Sequence, residues 1–122
     1  MRMVKCEEKY WPFVLKLRNK FKKSFFSQST ITNEEHEKFM RKWSDSYFIC
    51  IADDERTLLG WVGVVNGDIR IAVPCQFQNQ GIGKFMLEYI KVTFPEATAQ
   101  IFSSNQASIN AFNSVGIKNE IV

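Results

Sequence analysis

The run Val73-Pro74-Cys75-Gln76-Phe77-Gln78-Asn79-Gln80-Gly81-Ile82-Gly83-Lys84 decides the fold of this chain. A strand must stop at Pro74, which has no N–H to give a ladder. A polar loop follows, two glycines flank one apolar residue, and a helix begins. Ile82, Phe85, Met86, Tyr89 and Ile90 then form a helical stripe that halts before Pro95. Glycines at such a junction let backbone N–H groups turn toward a ligand with no Cβ in the way. The helix N-terminus adds unsatisfied donors and a partial positive charge, and the two together make an anion site. Lys84 in the first turn runs against the dipole preference for acidic residues, and a phosphate ligand accounts for it. The alternative is a tight strand-to-helix turn that needs glycine on steric grounds alone. A dinucleotide-binding G-x-G-x-x-G is not available because its third position is Met86, and no G-x-x-x-x-G-K-[ST] loop occurs.

Working outward, residues 47–52 and 58–65 are rich in β-formers, and the polar loop 53–57 joins them as a hairpin. Asn66-Gly67 favours φ > 0 and a type I′ turn, so 58–65 should pair with 69–73 in a second hairpin. Beyond the helix after Gly81, residues 97–102 read as a short strand. Residues 104–115 read as a helix with Ser108, Ala111, Phe112 and Val115 on one face and Gly116 at an αL C-cap. A last strand stub follows at 117–122. Upstream, 8–18 places Trp11, Val14, Leu15 and Arg18 on one helical face, with Pro12 in the first turn. Residues 19–31 show no period and read as a loop. Thr32-Asn33-Glu34-Glu35 is a capping box, opening a helix that carries His36, Phe39, Met40 and Trp43 on one side. Strands joined by a crossover helix lie parallel, so the class is α/β with a mixed sheet flanked by helices.

The chain has 122 residues, which suits a single domain over 1–122. Its 45% hydrophobic and 24% charged residues are those of a soluble globular protein, and eleven Phe with three Trp point to an aromatic core or groove. Net charge is +3, and the basic run 20–23 reads as a solvated face. No dense basic stripe of the kind phosphate neutralisation needs is present, so nucleic acid is not an expected partner. Cys6, Cys50 and Cys75 make an odd count without metal-like spacing, which suits reduced thiols, no metal and a cytoplasmic location. The first ten residues carry charges and no apolar h-region, and no run approaches a membrane span.

Two motifs together resemble the GNAT acetyltransferases. Gln78-x-x-Gly81-x-Gly83, after a strand ending Ala72-Val73-Pro74, looks like the Q/R-x-x-G-x-G/A motif of that family. Downstream, Asn105-x-x-Ser108 with Phe112 and Gly116-Ile117 is similar to its N-x-x-A/S…Y…G-F signature, at the usual separation. The resemblance covers residues 45 to 118 well and implies a GNAT-like fold that binds acetyl-CoA as co-substrate. Strand 69–73, through Ile71 and Val73, would present backbone groups to the pantetheine arm where it splays from strand 97–102. Amides of Gln78, Asn79, Gln80, Gly81, Ile82, Gly83 and Lys84 would cradle the pyrophosphate. Asn105 and Ser108 would line the cofactor near its thioester, beside Phe112, although Asn105 also reads as a simple N-cap. The implied reaction is direct attack of an amine on the thioester, with positioning supplying much of the rate.

The sequence departs from the family at two places. Many members carry a Tyr where Phe112 stands, and it protonates the departing thiolate; some carry a Glu base at what is here Gln100. Neither replacement can move a proton, so another group or a water chain must serve. His36, the only histidine, suits proton transfer near neutral pH and also suits a structural place on its apolar helix face. Leu17-Arg18-Asn19 with Ile31-Thr32-x-Glu34-Glu35-His36 is similar to a pattern in the branch that includes ribosomal-protein and nucleotide-sugar amine N-acetyltransferases. That likeness implies that Arg18 and His36 face the acceptor groove. Asp68 is a second base candidate, or completes the turn after Asn66-Gly67. Family members usually continue beyond the equivalent of Val122 with another strand. The fold is therefore expected shortened at its C-terminus, with an open edge that invites a homodimer. The expected function is acetyl transfer from acetyl-CoA to a primary amine: an amino sugar nucleotide, a protein N-terminus or a small amine. The alternatives are a catalytically weak GNAT domain that binds coenzyme A as a sensor or partner module, and an unrelated α/β module that uses the glycine turn for another phosphate.

Overall fold

Asn66 and Gly67 adopt φ of 52° and 78°, and the turn they make closes a hairpin around which the sheet is built. Its strands are β3 (Leu58–Val65) and β4 (Asp68–Ala72), in the register Trp61↔Ala72 to Val65↔Asp68. The computed structural model describes residues 1–25 and 29–122, apart from the side chain of Ser24, so positions 26–28 of the segment read as a loop lie outside it. The hairpin expected between 47–52 and 58–65 is present: β2 (Tyr47–Ile51) runs antiparallel to β3. One strand was not foreseen. β1 (Arg2–Lys5) pairs antiparallel with the outer edge of β2, from Arg2↔Ile51 to Lys5↔Phe48.

The helices are α1 (Trp11–Lys20), α2 (Asn33–Trp43), α3 (Ile82–Thr93) and α4 (Gln106–Val115). Pro12 sits in the first turn of α1, where its missing N–H is harmless. α1 buries Val14, Leu17 and Arg18, so Leu17 takes the central place that the sequence pattern gives to Leu15. The capping box of α2 is formed: Thr32 Oγ1 accepts from the Glu35 N–H at 3.2 Å, and Glu35 Oε1 accepts from the Thr32 N–H at 3.1 Å. Asn19 closes the segment between α1 and α2 through a reciprocal pair with Ile31, at 3.0 and 2.9 Å.

Two further strands, β5 (Ala99–Ile101) and β6 (Asn119–Ile121), run parallel to each other with α4 as their crossover. They meet the four-stranded sheet at one parallel bridge, Asp68↔Thr98, where the Ile69 N–H donates to Thr98 O at 2.8 Å. Past that bridge β4 and β5 have no ladder between them and part to leave a cleft.

The sheet alternation sorts side chains into two cores. On one face, Tyr47, Ile49, Trp61, Val65 and Ala72 pack against Val14, Leu17 and Met40 of α1 and α2. On the other, Phe48, Cys50, Val62, Val64 and Ile69 pack against Ile82, Met86, Leu87 and Ile90 of α3 and Ile109, Phe112 and Val115 of α4. A Cβ at Gly63 would lie 2.5 Å from the Tyr47 ring, so glycine is needed there for the ring to cross the strand. No helix among the described residues is long and apolar enough to cross a membrane.

Candidate functional site

The mouth of the cleft is the glycine turn. After β4, Pro74 leads into a short 3-10 turn, Cys75–Phe77, whose Gln78 N–H donates to Cys75 O at 3.3 Å. Gln78 Nε2 donates back to Val73 O at 3.1 Å and braces the loop against the end of the strand. Asn79 and Gly81 both take left-handed φ, 62° and 81°. The first helical bond of α3 runs from the Phe85 N–H to Gly81 O at 3.0 Å, so the amides of Ile82, Gly83 and Lys84 precede the helical ladder.

The two glycines have different causes. Gly81 needs its left-handed backbone, as the steric reading of the turn requires. Gly83 has no positive φ, and a Cβ there would meet nothing within 4 Å. Neither conformation nor packing calls for glycine at position 83; a Cβ there would stand in open space.

Behind this mouth lies a cleft of about 340 Å³ between β4 and the start of α4. Of the sequence-selected cofactor residues, Ile71, Val73, Gln78, Asn79, Gly81, Ile82, Gly83, Lys84, Asn105, Ser108 and Phe112 all line it. Gln80 does not; its Nε2 donates to Gln76 O at 3.3 Å on the exposed side of the loop. Asn105 sits both at the start of α4 and at the cleft. Its Oδ1 caps α4 by accepting from the Ser108 N–H at 3.3 Å, and it faces the cleft.

A smaller cavity of about 120 Å³ adjoins the cleft deeper in the splay, and the two share Phe25, Ile71, Asn105, Ser108 and Phe112. Asp68, Arg70 and Gln100 line it from the two parted strands, and Arg18 reaches it from α1. Asp68 stands at the apex, half-buried, with Arg70 Nε 3.8 Å from its Oδ2. Burial pushes its carboxyl pKa up, opposed by the Arg70 charge and a bond from the Gln100 backbone. Arg18 is buried with its guanidinium 4.8 Å from the centre of the Phe25 ring, and burial followed by the like charge of Arg70 pulls its pKa down.

His36 is not brought to either cavity. It is buried on the face of α2 that meets α1, and its Nε2–H donates to Trp11 O at 2.8 Å. The face of α2 that carries His36 is thus spent on joining the two helices. Arg70 escaped sequence reading, though strand alternation puts it on the same face as Asp68, two residues before it. Phe21, Phe25 and Phe77 also line the cleft, and the first two fall in a stretch with no period to read.

The described residues thus form a mixed α/β sheet splayed at one bridge, with a cleft between two strands and helix-terminal amides at its mouth. The model of the acetyltransferase (GNAT) family matches residues 11–117, and the chain belongs to that family. Solved structures agree on the fold. The spermidine N-acetyltransferase of Vibrio cholerae, in complex with CoA and spermine, superposes with a TM-score of 0.75 at 14% identity, over 94% of this chain and 79% of that one. A ribosomal-protein-alanine N-acetyltransferase from Brucella melitensis gives 0.74 at 17% identity, over 95% and 83%. A GNAT-family acetyltransferase from Bacillus anthracis gives 0.73 at 19% identity, over 93% and 77%. No curated protein matches the chain.

Proposed function

We propose that the chain is an N-acetyltransferase that takes its acetyl group from acetyl-CoA and gives it to a primary amine. The observation that carries this reading is Gly83, a glycine demanded by neither φ nor packing, which opens the first-turn amides of α3 to a ligand. The residues present fit acetyl-CoA. The amides of Ile82, Gly83 and Lys84, with the Lys84 ammonium, suit a pyrophosphate, since unbonded helical N–H groups and the dipole both favour an anion. Residues 70–72 of β4 have no ladder partner on the β5 side, so their backbone groups are available to the amides of a pantetheine arm. Bound acetyl-CoA would supply the acetyl group as a thioester.

The chain's own work is to orient and to move a proton. Phe25, Ile71 and Phe112 give the junction of the two cavities an apolar lining beside the polar Asn105 and Ser108. Asp68, at the apex of the splay, takes a proton from the ammonium form of the acceptor and frees the nitrogen lone pair. Its raised pKa makes it a better base than an exposed carboxylate.

A second reading, binding of coenzyme A with little turnover, is favoured by Phe112, buried at the cavity junction and without a hydroxyl to return a proton. Acetylation of a panel of primary amines, followed by thiol release, separates the two. Saturable turnover that disappears in Asp68→Asn supports the transferase. Acetyl-CoA binding without turnover of any amine leaves the second reading, and absence of binding removes both.

A further inference from the structure

Three cross-strand neighbours lie in one row of the sheet: Tyr47 of β2 stands opposite Gly63 of β3, and Gly63 opposite Arg70 of β4. The Tyr47 ring lies over Gly63, 2.5 Å from where a Cβ would be. It thereby crosses the middle strand, and its phenol oxygen accepts a hydrogen bond from the Arg70 guanidinium. Phe39 of α2 lies 5.9 Å from the same guanidinium and meets the Tyr47 ring edge-on, so two aromatic rings hold one head. Burial pushes the Tyr47 phenol up to about 12, opposed by the charge of Arg70, so it stays neutral and holds Arg70 without neutralising it.

Asp68 stands two residues away on β4, on the same face of the sheet. Arg70 Nε stops 3.8 Å from its Oδ2, whereas a charge-assisted bond runs about 2.7–2.9 Å. The two side chains are 37% and 32% exposed, so packing alone does not keep them apart. The bond to Tyr47 does. The other charge at this cavity is Arg18 from α1; β5 and α4 bring Gln100, Asn105 and Ser108, which carry none. The Cys6 thiol near Tyr47 is kept protonated by burial. A carboxylate closed into an ion pair is a weaker base, because the pair favours its charged form.

We propose that Tyr47 is a positioning residue: its hold on Arg70 keeps the guanidinium from closing on Asp68 and leaves that carboxylate open to a proton of the acceptor's ammonium group. This rests on the reading of Asp68 as the base of the transferase. The proton passes from nitrogen to a carboxylate oxygen, N–H breaking as O–H forms, and the lone pair stays on the amine.

The test follows the Asp68 carboxyl by carbon NMR titration of the whole chain, its resonance identified by its loss in Asp68→Asn. Tyr47→Phe keeps the ring and removes the hold. Its Asp68 titration should move down by about half a unit or more as the pair closes, while Arg70→Gln should move it up by about one unit. The acid limb of kcat/KM for an accepted amine should shift the same way in each variant, and kcat should fall in Tyr47→Phe, whose base is weaker. A side chain needed only for packing would move neither profile. Phe39→Leu replaces Tyr47→Phe if that chain does not fold, with the same downward shift expected. Opposite shifts in the two variants without turnover of any amine uphold the hold of Tyr47 on Arg70 and remove the transferase reading. Turnover with an Asp68 titration that rises or stays put in Tyr47→Phe upholds the transferase and overturns the inference. An Asp68 titration that does not rise in Arg70→Gln also overturns it.

Discussion

At the scale of single residues, the two glycines of the cleft mouth make opposite predictions. Gly81→Ala forces a Cβ into a left-handed backbone and should cost about 1–2 kcal/mol of stability in urea unfolding. Gly83→Ala meets no neighbour and sits in ordinary helical backbone, so it should stabilise the free protein by about 0.4–1 kcal/mol through the entropy of the unfolded chain. The same methyl group would stand in front of the amides of α3, so calorimetry should show weaker acetyl-CoA binding in the more stable protein. Unchanged affinity would mean that the turn serves only the fold. Asp68 gives a second prediction at this scale. Asp68→Asn should lower kcat by about 10²-fold or more in steady-state assays, the usual worth of a positioned base, while its unfolding midpoint stays near that of the parent. As a base Asp68 must be ionised, so the acid limb of kcat/KM should fall as pH drops through a value above the usual carboxylate range, and should vanish in Asp68→Asn.

At the scale of elements, α2 shows how a helix is fixed at its start and tied at its side. Thr32→Ala removes the oxygen that accepts from the Glu35 N–H and should cost about 1 kcal/mol in denaturant unfolding. His36 ties the helix to α1, and burial lowers its pKa below the ordinary 6.5. The folded state therefore binds fewer protons than the unfolded one, and the contribution of neutral His36 is fully present above about 6.5 and lost as pH falls through the folded value. Thermal midpoints measured from about pH 7.5 down to pH 5 should decline, and the decline should be shallower in His36→Gln. Elements with chemistry in consecutive residues were legible before the structure: the capping box, the Asn66-Gly67 turn, the stop at Pro74 and the stripe of α3. β1 was not, because Arg2-Met3-Val4-Lys5 is short, charged at both ends and paired with a strand more than forty residues away. The site divides in the same way. The glycine turn at its mouth lies in consecutive residues, while Arg18, Phe25 and Arg70 come together only once α1 packs on the sheet.

At the scale of the whole molecule, the sheet is two pieces joined by one bridge. Strands β1 to β4 form an antiparallel unit with α1 and α2 on one face; β5 and β6 meet it at Asp68↔Thr98 and through the second core. A ligand in the cleft touches both pieces, since the lining runs from residues 71–73 at the end of β4 through the start of α3 to Asn105, Ser108 and Phe112 of the other piece. Such a ligand binds only the folded arrangement, because neither a lone strand nor an isolated helix terminus reproduces the pair. Mass action then sets its effect: at 100 times its dissociation constant it adds about 2.7 kcal/mol, enough to raise the unfolding midpoint of a domain this size by several degrees. Acetyl-CoA should produce that rise, with ATP and NAD as controls at equal concentration, and the rise should shrink in Gly83→Ala. ATP shares the adenosine and a chain of phosphates but has no pantetheine arm, so an equal rise with ATP would mean that the mouth alone binds and the parted edge of β4 takes no part. A rise confined to acetyl-CoA would show that both ends of the cleft hold one ligand. No rise in the folded protein would reduce the turn at 78–84 to a joint between strand and helix, and the enzymatic reading would go with it.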